Sequence, residues 1–209
     1  MLRRSFILAF AVCALAAVPC RAQDTWQQEA GHLATLLQWH SGSVVADVGA
    51  GKGQLTLAAA QRVGSSGKVF STELDADELA HLQELTTDHN NIVAVKAADD
   101  STNLPPASCD SIFMRLVYHH LTKPAEIDAS LFQSLKPGGR LAVVDENPPK
   151  GSTIPPGVPK NRGGHGVPQD ILISELTAAG FKVETIDNHY PAGDAYHPIY
   201  CVVFQKPKP

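Results

Sequence analysis

The stretch Val44-Val45-Ala46-Asp47-Val48-Gly49-Ala50-Gly51-Lys52-Gly53 decides the reading of this chain. A short apolar run reads as a buried strand. It ends in three glycines spaced by two, then passes into the helical pattern Leu55-Thr56-Leu57-Ala58-Ala59-Ala60. Glycines at such a turn let the backbone approach a ligand, and a helix N-terminus supplies unpaired N–H groups. The next strand-like run, Lys68-Val69-Phe70-Ser71-Thr72, closes on Glu73, twenty residues beyond Gly53. An acid at that distance accepts hydrogen bonds from a ribose. The pairing predicts a nucleoside-containing ligand at the first β-α-β unit.

The dinucleotide fingerprint G-x-G-x-x-G fails, because position 54 is Gln54 and the third glycine comes one residue early. A phosphate loop of Walker type fails as well, since Gly51-Lys52 is followed by Gly53 instead of Ser or Thr. Three further pieces follow in order. Asp99 and Asp100 come after the apolar run Ile92-Val93-Ala94-Val95. Leu104-Pro105 precedes Ser108-Cys109-Asp110-Ser111-Ile112-Phe113-Met114. Leu135-Lys136-Pro137-Gly138-Gly139-Arg140-Leu141 reads as a helix ending at Pro137, a reversal on two glycines and the start of a strand. With the pattern Asp-x-Gly-x-Gly-x-Gly at 47–53, the chain resembles the class I S-adenosylmethionine-dependent methyltransferases over roughly residues 26 to 205.

That resemblance implies S-adenosyl-L-methionine as cofactor, held by Asp47, Gly49, Ala50, Gly51, Gly53, Glu73, Leu74, Asp99, Asp100 and Arg115. Within this set Asp47 fixes the glycine loop, contacts the methionyl amino group, or only caps the turn. Glu73 takes the ribose hydroxyls. Asp99 and Asp100 both fit the adenine side, one by its distance from the strand and the other by its spacing to Leu104-Pro105. Asp75 reads as the N-cap of a helix starting at Ala76, with Glu78 three residues on.

A coarse pass places helices near 25–38, 54–63, 76–87, 124–135 and 169–179. Strands fall near 44–48, 68–73, 92–96, 110–116, 139–146, 181–188 and 198–205. The last two strands are separated by a turn around Pro191-Ala192-Gly193-Asp194 and no helix, so they form an antiparallel pair. The expected fold is α/β: one Rossmann-like, doubly wound sheet of seven mostly parallel strands with an antiparallel terminal hairpin. Residues 147–168, rich in Pro and Gly, form the longest irregular stretch, and such loops serve as lids when they lie over a ligand site.

Ligands of open α/β sheets bind at the carboxyl ends of the strands. There the fourth strand ends in Arg115-Leu116-Val117-Tyr118-His119-His120 and the fifth in Asp145-Glu146-Asn147, while the long loop carries Arg162 and His165. Methyl transfer is an in-line displacement that needs alignment, exclusion of water and, for a hydroxyl or ammonium acceptor, a base. His119, His120 and His165 are the candidate bases. Tyr118 is a candidate to orient the acceptor or face the sulfonium. The resemblance also implies another reading, in which Tyr118-His119-His120 shape the pocket or pack under the cofactor. Arg162 either binds an acidic substrate or is a solvated loop side chain.

The 209 residues suffice for one core of ordinary size, and 44% hydrophobic with 18% charged content places the chain among globular proteins. The N-terminus has the layout of a secretory signal peptide: Met1-Leu2-Arg3-Arg4, an apolar run of 13 residues from Phe6 to Val18, and Pro19-Cys20-Arg21-Ala22 as the exit. The expected organisation is a signal over 1–22, cleaved after Ala22, and a methyltransferase domain over 23–209 in the periplasm or secreted. The alternative is a retained membrane anchor. Loss of Arg3, Arg4 and Arg21 would move the net charge from −4 to −7, an acidic balance that argues against nucleic acid as partner. The expected partner is a small-molecule acceptor, with no stable membrane association after cleavage, and the protein a monomer or homodimer. Cys109 and Cys201 are expected to be separate buried thiols, and two cysteines without matched spacing make no zinc site, so no metal is expected. Two other functions compete: a non-catalytic S-adenosylmethionine- or nucleoside-binding protein of the same fold, and an NAD-dependent oxidoreductase, which the broken dinucleotide spacing disfavours.

Overall fold

The computed structural model describes residues 20–191 and 199–209. Its elements run α1 (Cys20–Leu37), β1 (Val44–Val48), α2 (Gln54–Val63), β2 (Lys68–Glu73), α3 (Ala76–Asp88), β3 (Ile92–Lys96), β4 (Cys109–Arg115), a 3₁₀ turn (Tyr118–His120), α4 (Pro124–Ser134), β5 (Leu135–Glu146), α5 (Gln169–Ala178), β6 (Lys182–Asp187) and β7 (Ile199–Gln205). The seven strands form one sheet in the order β3-β2-β1-β4-β5-β7-β6. The β1–β2, β1–β4, β2–β3 and β4–β5 pairs are parallel, whereas β7 runs antiparallel to both β5 and β6. This is the class I methyltransferase arrangement expected from the sequence. Of the segment expected to be a signal peptide, residues 1–19 lie outside the described residues and Cys20–Ala22 form the start of α1, and most of the turn at 191–194 also lies outside them.

The period-two burial of the strands builds both layers. Ala46, Val48, Ile112, Met114, Leu141 and Val143 face one side, where Ile127 and Leu131 of α4 and Leu172 and Leu176 of α5 cover them. Val45, Val69, Phe113, Ala142 and Val144 face the other, under Ala30, Leu33 and Leu37 of α1 and Leu55, Ala59 and Val63 of α2. Cys109 and Cys201 are free and buried, with β5 between their strands.

The Lys-Pro-Gly-Gly turn departs from expectation. Helix α4 ends at Ser134, not at Pro137, and Leu135 already pairs with Cys109 in the sheet. The glycines do not reverse the chain. Gly138 donates its N–H to Lys206 O and Gly139 accepts from Lys206 N, so the segment enters β5 as an irregular strand start. The ammonium of Lys206 donates to Phe132 O and Leu135 O, which supplies the cation that a helix C-terminus favours.

Candidate active site

Register brings the ends of β1, β2 and β4 level, since Val48 stands beside both Thr72 and Met114. The chain leaves β1 through Gly49, whose N–H and that of Ala50 both donate to Thr72 O. Gly49 has φ +74°, and a Cβ there would lie 2.6 Å from Val117 Cγ2, so only glycine fits. Gly51 has φ +51°, and a Cβ there would meet nothing within 4 Å. Space for a ligand lies on that side of the loop. Helix α2 starts at an N-cap, Gly53, with no side-chain cap, so its first N–H groups remain available.

Glu73 ties this loop to β2. Its Oε2 accepts from Gly51 N at 2.9 Å and its Oε1 from Leu74 N at 2.7 Å. Asp47 is buried and points away from solvent. It accepts from Thr56 Oγ1 at 2.6 Å, and Thr56 in turn meets Ser71 Oγ at 2.9 Å. The Asp47 carboxyl therefore tethers the first turn of α2. Burial pushes its pKa up to about 7, against the lowering effect of the Thr56 hydrogen bond. Asp75 caps α3 by accepting from Asp77 N and Glu78 N.

A cavity of about 280 Å³ opens at this edge of the sheet. Gly49, Glu73, Leu74, Asp99, Val117 and His120 all line it, with a floor from Ala97, Ala98, Thr102 and Ile127. Leu74 stands 55% exposed on the cavity wall. Among the expected cofactor residues, the cavity gathers Gly49, Glu73, Leu74 and Asp99. Asp100 does not line it, and both aspartates reach Lys123, at 3.0 and 3.5 Å. Lys123 holds the Asp99 carboxyl below its ordinary range, chiefly through their hydrogen bond. Arg115 turns to the opposite layer, donating to Glu29 Oε1 at 2.7 Å and stacking over Trp26.

Leu116 makes the turn after β4 with φ +55°, a backbone that a branched side chain rarely adopts. It sends Val117 onto Gly49 and winds Tyr118-His119-His120 into the 3₁₀ turn. His119 is buried. Its Nδ1 lies 2.8 Å from Asp145 Oδ1, and its backbone N–H donates to Asp145 Oδ2. Because Asp145 is an acceptor, His119 carries a proton on Nδ1, and in the neutral ring the lone pair is then on Nε2. Val167 N donates to Glu146 O, which draws the loop around His165 to the same place. The three histidine rings cluster, with centroids 4.1, 5.7 and 5.8 Å apart. Burial, and then its two neighbours, push the His120 pKa down, so its imidazole is neutral near pH 7.

Tyr118 takes a packing role, and Arg162 occupies a position that neither of its two readings gave. The Tyr118 hydroxyl is buried 2.9 Å from Asp128 Oδ2 and 2.9 Å from Glu175 Oε2. It faces the core beneath the turn and does not line the cavity, so it can neither orient an acceptor nor face a sulfonium. Arg162 is neither solvated nor aimed at a substrate. It is buried, forms a two-pronged pair with Glu175 at 2.9 and 2.7 Å, and lies over the Tyr118 ring. Its Nε has no partner among the described residues. One phenolic proton serves only one of two carboxylates. Burial raises Asp128 to about 7, which lets that carboxyl keep a proton of its own. Glu175 stays charged because the Arg162 hydrogen bonds outweigh the cost of burial.

The sequence missed Val117, Leu121, Thr122 and Ile127 on the cavity wall. Their only signal is a place just after the fourth strand, where ligands of such sheets bind. Asp145 was visible as a strand-end acid but had no role until His119 folded onto it.

Residues 46–143 match the family described as "Methyltransferase domain". The "Ubiquinone/menaquinone biosynthesis C-methyltransferase UbiE" of Marinomonas sp. is 26% identical over 117 residues, covering 54% of this chain and 47% of that protein. The chain thus spans about half the length of the curated relatives it matches. A SAM-dependent methyltransferase from Aquifex aeolicus superposes with a TM-score of 0.72 at 20% identity, over 90% of this chain and 93% of the other. A "possible exported protein" from Bordetella parapertussis superposes with a TM-score of 0.61 at 20% identity, over 90% and 70%. The chain therefore has the class I methyltransferase fold, and within it residues 46–143 match the methyltransferase-domain family.

Proposed function

We propose that this protein is an S-adenosylmethionine-dependent methyltransferase acting on a small-molecule acceptor. The observation that carries the reading is the meeting of Glu73, Gly49, Leu74 and Asp99 around one cavity beside the uncapped start of α2. The residues suit the cofactor. The Glu73 carboxylate takes a ribose diol, the exposed Leu74 covers an adenine face, and the glycine loop admits the methionyl arm. When bound, S-adenosylmethionine supplies a methyl carbon whose bond to sulfur breaks as the acceptor attacks, leaving the electron pair on sulfur. The chain's own part is to align the acceptor and exclude water. His120 borders the same cavity, so the histidine cluster marks the acceptor end.

Calorimetry of the full chain with S-adenosylmethionine and S-adenosylhomocysteine tests the reading. Micromolar binding is expected, followed by slow release of S-adenosylhomocysteine once an acceptor is found. A folded protein that binds neither would end the proposal.

We also propose that the protein works outside the cytosol, in the periplasm or secreted. Support comes from the basic start and apolar run at 1–22, and from the exported description of the Bordetella protein. Among the described residues no helix is long and apolar enough to cross a membrane. N-terminal sequencing of the chain from each cell fraction should find Gln23 first in the exported one. An intact Met1 in the cytosol alone would overturn this.

A further inference from the structure

We propose that His119, His120 and His165 bind one divalent first-row transition ion, zinc before others, at the acceptor end of the cavity. One ring nitrogen from each histidine lies within 4.8 Å of the other two. A tetrahedral ion about 2.1 Å from each nitrogen holds them ~3.4 Å apart, so closure needs an approach of at most ~1.4 Å. His165 is flanked by Gly164 at φ +102° and Gly166 at φ +118°, where a Cβ would run into Ser152 and Glu146 O, so this path of the backbone requires glycine on both sides of the ring. Among the described residues, the rings of His120 and His165 make no hydrogen bond, and their lone pairs are open.

The second argument is Asp145. A histidine ligand that donates its far N–H to a buried carboxylate is fixed in tautomer and direction, with its other nitrogen ready for metal. His119 has that arrangement, through Nδ1 to Asp145 Oδ1 at 2.8 Å, and Asp145 is itself held by the N–H groups of His119 and Glu146. Three imidazole nitrogens suit zinc, copper or nickel better than magnesium or calcium, which prefer oxygen. Three protein ligands also leave a position open, as reactive rather than structural metal sites do. His120 lines the cavity, so that position adjoins it. An oxygen acceptor there would be bound and made more acidic by the ion. Proton acceptance and metal ligation use the same lone pair of His120, so a loaded site activates its acceptor through the ion and not through a free base.

The test uses tag-free full chain, stripped with chelator, with zinc and cobalt as probes and no S-adenosylmethionine present. Its outcome is therefore independent of the methyl-transfer reading. Calorimetry and elemental analysis should give one ion per chain, with micromolar affinity or tighter. The double variant His120→Ala/His165→Ala changes exposed rings, and should weaken binding by at least about 100-fold. Asp145→Asn should weaken it by about 10–100-fold. The distant His81→Ala should leave it unchanged. Substoichiometric metal in the parent chain, or equal binding by the double variant, overturns the proposal. If the double variant fails to fold by circular dichroism, the cobalt spectrum of the parent decides. Ligand-field bands of a nitrogen-bound, low-coordinate ion support the site, and a spectrum of free aqueous cobalt overturns it.

Discussion

The loop after β1 and the long stretch after β5 both pack at the carboxyl edge of one sheet, yet they are held by opposite means. The glycine loop is fixed by backbone groups: Gly49 and Ala50 donate to Thr72 O, Gly53 to Ala50 O, and Gly51 to the Glu73 carboxylate. The stretch at 147–168 has backbone bonds such as Val167 N to Glu146 O, but its anchor to the helices is made by side chains. Arg162 pairs with Glu175 of α5 over the ring of Tyr118, and Asp128 of α4 joins through the phenol. Backbone fixation leaves side-chain space free for a ligand. Side-chain fixation buries charge in order to anchor a loop. The first strategy suits a cofactor cradle. The second suits a long loop that must return to one position.

The largest effect should come from breaking the side-chain anchor. Arg162→Ala leaves Glu175 facing the Tyr118 ring and hydroxyl without its cation, and removal of one partner from a buried pair costs about 3–5 kcal/mol. Urea unfolding should show that loss, with Arg162→Lys recovering only part because a point charge cannot make the two-pronged contact. A loss below about 1 kcal/mol would mean that the loop is held elsewhere, and the contrast with the glycine loop would fail.

Asp47 sharpens the comparison from the other side, because it is a buried carboxylate of the glycine region, and the cation nearest in its influence, Arg115, is already paired with Glu29. Its folded pKa, about 7, lies above the value of 3.8 expected when exposed. Between those values the folded chain keeps a proton that the unfolded chain has lost. This group therefore lowers stability as pH rises from 4 to 7, and the penalty is complete above 7. Asp47→Asn removes it. Parent and variant should be equally stable near pH 4, with the variant ahead by up to about 4 kcal/mol at pH 8. Melting curves at the two pH values measure this. A difference that does not change with pH would show that Asp47 is ionised at low pH in the folded state.

Glu73 should divide binding from stability. Glu73→Ala should weaken S-adenosylmethionine binding by about 10–100-fold, as expected for lost hydrogen bonds to a charged group. Its effect on unfolding should be about 1 kcal/mol, because the N–H groups of Gly51 and Leu74 stand near solvent and can turn to water. A large stability loss with unchanged affinity would make Glu73 a strut of the loop alone.

The same contrast explains what the chain's own letters disclosed. Positions set by local backbone rules were legible: β1, α2, β2 and β3 begin and end where glycines, apolar alternation and the acid at Glu73 place them. The coarse range for α4 ended within one residue of Ser134, but the Lys-Pro-Gly-Gly turn was misread as its end, since Lys206, far along the chain, caps the last carbonyls of the helix. Arg162 and Tyr118 were misplaced for a related reason. A loop arginine and a strand-end tyrosine look functional until Glu175 and Asp128 arrive from two other helices, and no spacing in the sequence announces that meeting. The histidines lie between these cases. Their common place at the carboxyl edge was legible, but the contact of the three rings depends on the pairing of Val167 with Glu146 and on the left-handed turn at Leu116.

The smallest test concerns a device that belongs wholly to the local class. Asp75 accepts from the N–H groups of Asp77 and Glu78 at 2.9 and 3.0 Å, with no contact to any distant element. Its replacement by Ala should cost about 1 kcal/mol, the usual value of an N-cap, because water can reach the freed N–H groups. The effect on S-adenosylmethionine affinity should stay within about twofold, as the carboxylate points into α3 and not into the cavity. Glu73 lies two residues away and accepts from Asp75 N at 3.3 Å, so any larger loss of affinity would show that the cap also sets the Glu73 carboxylate. The local and ligand-bearing parts of this turn would then be one unit, and the division between backbone-held and side-chain-held regions would have to be drawn elsewhere.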